Sequence, residues 1–574
     1  MTNADRRFSP AGKPPKTVLF ATPPLKYVED TAASWAEKGF AGFIRPDIMR
    51  GWDADIWETS AGRVDGEENP LLRQCAATNS ALAEHGADEN FIVVPFSKHL
   101  PDWFDDDAWN GLTENLRQGA RFCRMAGFRG MALDDEYIEE IFGLFWEEYQ
   151  GLDNRIAELP AQARLRGQQM QRAMLDGFPD MVTIHLPESF SVMGELAKEL
   201  FYGYLDVLAE KDAPGGMHLF CESSYFQTAP DWIARYGYGL DRILMDDLGP
   251  AVSDYWKRRC GISLGLSPLG YLRFIRDENG KRLGYGGRPE IFGDRIIRGG
   301  EDKSGNYGPD VFKATHAAAG MVSRKYVWVF SGGPAWWQMS DEERAKYDAP
   351  DVDTVPVTEN FDEYAATLQN PSIIDEPLFT DMGDAMRERA SIGVLDGLGL
   401  PPVWWITGPF ENQDGRGWNA VHISETMSNL RLEVKMTAYQ GPLGPVPWQQ
   451  IDTPPTGYVD LSRSLGGGSF VQGYAVAWVD VEQETECVLR FGSDDTAKIW
   501  FNGKIAHESN TERINIPDED TIPLTLPAGR SQFLLKIGNY NGGYGFYFRI
   551  TDVAGGEMPG LSWVTDLSAV PPQL

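Results

Sequence analysis

The chain has 574 residues with 52 Lys and Arg against 84 Asp and Glu, a formal net charge of −32. That length exceeds one ordinary hydrophobic core, so at least two domains are expected, and 42% hydrophobic content with 18 Trp, 21 Tyr and 29 Phe excludes a disordered polypeptide. So acidic a surface repels nucleic-acid phosphates and anionic lipids, which removes both as expected partners.

Residues 1–16 read as an N-terminal extension without the apolar h-region of a secretory signal. No apolar run reaches the length needed to cross a bilayer. The five cysteines are scattered and odd in number, which argues against a disulfide framework. No Cys-x-x-Cys or His-x-x-x-His spacing supports a metal site, and no cofactor is expected. A cytoplasmic protein is the default expectation, secreted or periplasmic if a signal peptide has been trimmed. The oligomeric state is not legible.

From residue 17 to 337, apolar strand-like runs alternate with amphipathic stretches. The strands are expected at Thr17–Ala21, Gly42–Arg45, Phe91–Phe96, Gly130–Leu133, Val182–Leu186, Met217–Cys221, Ile262–Leu266 and Tyr326–Phe330. Helices are expected at Ala108–Ala126, Ala161–Leu175 and Pro230–Tyr236. Eight strands in β/α alternation predict an α/β fold, a (β/α)8 TIM-like barrel. A ninth candidate, Arg242–Met245, leaves the count open. Long loops are expected at Lys98–Asn110 and Tyr271–Arg324. Residues 338–397 turn polar, with helical signals at Asp362–Leu368 and Asp384–Ile392, and read as a connecting helical layer. Residues 398–574 change to short alternating runs broken by Gly and Pro, the pattern of an all-β sandwich. Within it Lys498–Phe501 alternates as a strand and Asn502-Gly503 is a hairpin turn. Asp494 and Asp495 either cap the preceding turn or bind calcium.

Side chains at the carboxyl end of a parallel strand point into the site built by the following loops. Two such ends carry acids: Gly130–Leu133 runs into Asp134, Asp135 and Glu136, and Met217–Cys221 runs into Glu222. Glycoside hydrolysis needs two carboxyl groups flanking the scissile bond, one to protonate the leaving oxygen and one to attack or to activate water. Glu136 and Glu222 are the candidate pair, Glu222 as nucleophile or base and Glu136 as the general acid that the resemblance given below implies. On an extended strand only one of Asp134 and Asp135 shares a face with Glu136. We pair Asp134 with it and turn Asp135 elsewhere, into a structural salt bridge. Glu188, in His185-Leu-Pro-Glu188, is a rival from the fifth strand and a candidate substrate contact. Trp328, Trp336 and Trp337 on and after the last strand, and Trp103 in the third loop, are candidate stacking surfaces for sugar rings. His185 and His218 are expected to orient substrate hydroxyls or a carboxylate.

The stretch Arg129-Gly-Met-Ala-Leu-Asp-Asp-Glu-Tyr137 resembles the strand-four signature of family 18 chitinases and their relatives, Asp-Gly-x-Asp-x-Asp-x-Glu, whose last Glu donates the proton. Asp134 and Glu136 match its last two acids, while Arg129 and Ala132 stand where the first two Asp are found. The pairing of acids at strands four and six resembles the arrangement in the alpha-galactosidase and alpha-glucosidase clan. Further on, Trp405–Asn412, Gly457–Leu461, Gly492–Gly503 and Gly545–Thr551 resemble the jelly-roll accessory domains of bacterial polysaccharide-degrading enzymes and sialate O-acetylesterases. These resemblances imply a glycosidase acting on a carbohydrate substrate, with a structural or sugar-binding second domain. A substrate-assisted N-acetylhexosaminidase, with Asp134 orienting the acetamido group, and a non-catalytic carbohydrate-binding protein are the alternatives.

Overall fold

The computed structural model describes residues 15–49, 69–95, 101–135, 158–188, 195–225, 227, 230–270, 273–276, 282–286, 307–330, 336–337, 339–347, 361–371, 399–412, 417–427, 430, 434, 438–441, 444–454, 457–466, 470–511, 513, 515, 517–540, 543–553 and 558–567. Eight parallel strands close into a barrel: β1 (Lys16–Phe20), β2 (Phe40–Arg45), β3 (Phe91–Pro95), β4 (Gly130–Asp134), β5 (Val182–Leu186), β6 (Met217–Cys221), β7 (Gly261–Leu266) and β8 (Tyr326–Phe330). Each pairs with its sequence neighbour, and β8 returns to β1 with Trp328 beside Val18 and Phe330 beside Phe20. These are the eight strands expected from the sequence, shifted by a residue or two at their ends. Most are buried on both faces, as parallel strands covered by helices must be.

Alternation assigns the two faces of each strand. Gly261, Ser263 and Gly265 of β7 face the lumen, and their small size leaves room for the rings of the strands on either side. Phe220 of β6 lies 5.3 Å from Trp328 of β8, and His218 lies 4.9 Å from Tyr326. A Cβ on Gly265 would meet the Cys221 carbonyl oxygen at 2.7 Å, Tyr225 at 2.7 Å and Trp328 at 2.8 Å. Leu264 takes the other face, and its amide donates to Ser323 Oγ (3.1 Å). At the amino end, buried Glu89 accepts hydrogen bonds from Lys16 Nζ (2.6 Å) and Tyr326 Oη (2.5 Å), tying the start of β3 to β1 and β8. That end of the barrel is a structural plug.

Helices cover the outside. The one at Asp106–Met125 starts at Asp105, whose carboxylate accepts the Ala108 amide at 3.0 Å, and its first-turn acids Asp106 and Asp107 suit the positive helix terminus. Two expectations need correction. Arg242–Met245 is no strand: it is the last part of an 18-residue helix, Pro230–Asp247. The stretch Tyr271–Arg324 is no plain loop either, since it holds a two-stranded hairpin, Arg273–Arg276 with Arg282–Gly286, and the helix Pro309–Val322. Helix Phe361–Gln369 packs on that helix through Tyr364, whose hydroxyl donates to the Tyr307 carbonyl at 2.6 Å. Asp384–Ile392 lies outside the described residues.

Contacts divide the chain into a unit of Met1–Ile138, Leu159–Ser189 and Glu199–Arg387 and a second of Glu139–Glu158, Phe190–Lys198 and Glu388–Leu574. Among the described residues the second holds two large antiparallel sheets and a two-stranded one, Ala438–Gly441 with Gly444–Pro447. One large sheet runs Gln449–Asp452, Val403–Glu411, Val471–Val481, Gly529–Asn539, Thr496–Phe501 and Lys504–Ser509, with Ser562–Trp563 also pairing with Val471–Val481, and the other runs Tyr458–Asp460, Gly545–Thr551, Thr485–Asp494 and Asp520–Leu526. Both sheets contribute to one core that includes Trp404, Ile406, Ala475 and Ile537 from the first and Leu489, Phe491, Phe546 and Ile550 from the second. This is a β-sandwich. Asn502 (φ 50°) and Gly503 (φ 78°) form its left-handed hairpin turn, as their sequence requires. All five cysteines are free and buried.

Candidate functional site

Among the described residues, the carboxyl ends of β4, β5 and β6 carry Asp134, Asp135, Glu188 and Glu222. Asp134 ends β4, half-buried, in register with Pro95 and Leu186 on the neighbouring strands. Its lumen-facing neighbours on β4 and β5 are Ala132 and Ile184, so it faces the barrel axis. Glu136 lies outside the described residues. Glu222 follows β6 directly and is half-buried at the head of a turn closed by the Tyr225 amide on the Glu222 carbonyl (2.9 Å). Ser224 Oγ donates to the Gly265 carbonyl (2.8 Å) and accepts from the Gly265 amide (3.0 Å), fastening that turn to β7.

The other two acids of this rim are fully buried. Asp135 turns to the helix side and is fully buried, 2.6 Å from His185 Nε2. His185 Nδ1 lies 3.1 Å from the Pro187 carbonyl, an acceptor, so Nδ1 carries a hydrogen. The Nε2–Oδ2 contact therefore holds one proton between imidazole and carboxyl. Burial raises the Asp135 carboxyl above its ordinary value, opposed by His185. The ring of His185 packs on Phe201 (4.9 Å) and Tyr204 (5.7 Å) of helix Glu195–Glu210, behind the sheet. Glu188 is also fully buried, and accepts from the Glu222 amide (2.7 Å), the Ser223 amide (3.1 Å) and the Tyr236 hydroxyl (2.5 Å).

The remaining candidates separate. His218 sits in the lumen against Tyr326, near the amino end, and burial with Lys325, Arg324 and Arg129 nearby holds it far below the usual histidine range, hence neutral. Trp328 fills the lumen between Phe20, Phe220 and Tyr225 and is 0% exposed. Trp336 is equally buried, against Phe40 and Phe312, and Trp337 lies 6.2 Å from Trp35. Trp336 and Trp337 thus pack against the outer helical layer. Trp103 stacks on Trp109 (5.3 Å), and its carbonyl accepts from Gln162 and Arg166.

Among the described residues, other aromatic rings reach the rim. Phe20 and Phe330 are the last residues of β1 and β8, partly exposed, with centroids 5.4 Å apart, and Tyr225 stacks on Phe330 at 5.0 Å. Sequence reading passes over them because a phenylalanine ending an apolar strand looks like core; their pairing in adjacent strands is the available signal. In the sandwich, both oxygens of Asp495 accept backbone amides, from Arg513 (2.8 Å) and Tyr540 (2.7 Å), so this carboxylate ties loops together. Among the described residues no group of His, Cys, Asp or Glu side chains could hold a metal ion, and no helix is long and apolar enough to cross a membrane.

The sequence matches no protein-family model and no curated protein. Among solved structures the chain is similar to GH5_18 from Streptomyces cattleya in complex with Manb1-4GlcNAc, at 15% identity over 66% of this chain and 92% of that one, with a TM-score of 0.34. It is similar to a GH27 b-L-arabinopyranosidase from Geobacillus stearothermophilus in complex with arabinose, at 8% identity over 93% and 98% of the two chains, TM-score 0.30. Endonuclease IV from Thermus thermophilus follows at 13% identity over 58% and 96%, TM-score 0.28. Glycosidases and a nuclease stand side by side at such values, so the likeness selects no reaction.

Proposed function

We propose that the chain is a glycoside hydrolase acting on a carbohydrate at the carboxyl rim of its barrel, with Glu136 as general acid, Asp134 beside it and Glu222 as nucleophile or base. One observation carries the reading: of the described acids at the ends of β4, β5 and β6, Asp134 and Glu222 are half-buried while Asp135 and Glu188 have no exposed surface. Glycoside hydrolysis takes two carboxyl groups on opposite sides of the scissile bond, and β4 and β6 bring acids to the same rim with one strand between them. Phe20 and Phe330 offer the apolar platform on which a sugar ring stacks. In this reading residues 17–337 are the catalytic barrel, and the sandwich of residues 398–574 is an accessory jelly roll of the kind attached to polysaccharide-degrading enzymes. The test is hydrolysis of a panel of 4-nitrophenyl glycosides and natural oligosaccharides by the wild type, Glu136→Gln and Glu222→Gln. At least one substrate should be cleaved, with both variants slower by about 100-fold or more. A wild type without turnover on the whole panel, or variants within about tenfold of it, refutes the assignment.

A further inference from the structure

Glu188 is a carboxylate with no accessible surface, and none of its three hydrogen-bond donors is a charged side chain. A buried carboxylate without a cation is costly unless hydrogen bonds replace its hydration, and here they come from one place. Oε2 takes the Glu222 amide and Oε1 the Ser223 amide, two successive backbone donors pointing the same way, while Tyr236 Oη completes Oε1. On the far side of the same turn Ser224 is fastened to the backbone of β7. The backbone of Glu222 is therefore gripped from β5 through Glu188, and the turn that follows it is gripped from β7. Such an arrangement fixes the backbone from which the Glu222 side chain departs, and with it the direction in which that side chain sets out.

We propose that Glu188 is a positioning residue: its carboxylate anchors the Glu222 and Ser223 amides and so aims the Glu222 carboxylate into the mouth. The inference rests on the reading of Glu222 given above and replaces a direct role of Glu188 toward substrate, which its burial denies.

The assay uses the 4-nitrophenyl glycoside that the wild type hydrolyses fastest. Glu188→Gln puts an amide NH2 against a backbone N–H, so kcat should fall roughly 10- to 100-fold with KM within about twofold, because misplacing a reacting group by an ångström costs that much. Glu222→Ala, assayed with azide in place of the lost carboxylate, supplies the control that a merely structural role would not satisfy. With no side chain left to aim, adding Glu188→Gln should cost less than about threefold further. A full multiplicative loss in the double variant, or a raised KM at unchanged kcat, overturns the proposal. Independently of turnover, hydrogen exchange at the Glu222 and Ser223 amides should quicken at least about tenfold in Glu188→Gln while Leu219 in β6 stays protected; unchanged protection overturns the anchor. Should Glu188→Gln fail to fold, Tyr236→Phe removes one donor and leaves both amide bonds, and kcat should drop about two- to fivefold; wild-type kinetics there overturn the proposal. If no glycoside is hydrolysed by the wild type, the hydrolase reading falls by itself, and amide exchange alone decides whether Glu188 is the anchor.

Discussion

Asp460→Asn should stabilise the sandwich in a pH-dependent way. Asp460 is buried at the start of the short helix Leu461–Leu465, where one oxygen accepts the Arg463 amide (2.9 Å) and the other has no hydrogen-bond partner. Burial raises its carboxyl from an ordinary 3.8 to about 7, although the Arg463 amide and charge oppose this. Because the folded value lies above the unfolded one, the native state binds the proton more tightly. Asp460 is therefore harmless below about pH 4, costs stability progressively between about pH 4 and 7, and costs its full amount above pH 7. Three units at about 1.4 kcal/mol each give a ceiling near 4 kcal/mol, which water penetration reduces to about 2–4 kcal/mol. Asparagine keeps the capping oxygen and is neutral at every pH. Any constant offset of the substitution cancels when two pH values are compared. Hydrogen exchange of amides in the shared core such as Ala477 and Leu535, corrected for the intrinsic rate, reports opening of the sandwich. Relative to wild type, the Asn variant should gain about 2–4 kcal/mol from pH 4 to pH 9. A pH-independent difference refutes the argument.

Gly265→Ala should cost about 1–3 kcal/mol, since the new methyl would press on the Cys221 carbonyl, Tyr225 and Trp328; thermal unfolding of the variant checks it, and an unchanged midpoint refutes it. Asp135→Ala should cost about 3 kcal/mol by stranding the buried His185 ring nitrogen. Asp135→Asn should cost less than about 1 kcal/mol, because its amide can donate to Nε2; equal losses in the two variants would contradict the shared proton. Phe330→Ala should raise KM for the aryl glycoside about tenfold with a smaller change in kcat, as losing a stacking face worth about 1–1.5 kcal/mol implies; an unchanged KM removes Phe330 from the sugar platform.

The barrel is legible because its strands are short apolar runs separated by amphipathic segments, a pattern with one good solution. Length misleads at Arg242–Met245: four apolar-rich residues look like a strand when the 18-residue helix containing them is not seen whole. Facing is the harder problem. In a strand apolar on both sides, nothing in the composition says which alternate set faces the lumen, so the sequence puts His185 at the mouth although it shares a face with Thr183, which contacts the covering helix through Gln171. Asp135 turns away from the site as expected, because alternation relative to Asp134 needs no knowledge of the absolute face. The hold of Glu188 on the Glu222 backbone joins residues 34 apart, and no local pattern announces it.

The buried thiols have a practical consequence. Burial lifts Cys75 and Cys260 to about 12 and Cys487 to about 11, and pushes Cys123 and Cys221 far up as well. None is a thiolate at neutral pH, so an alkylating reagent reaches them only when the surrounding structure opens. Four belong to the barrel unit and Cys487 to the sandwich. A single labelling time course, resolved peptide by peptide, would clock the opening of each unit separately in the unmodified protein, with no engineered probe.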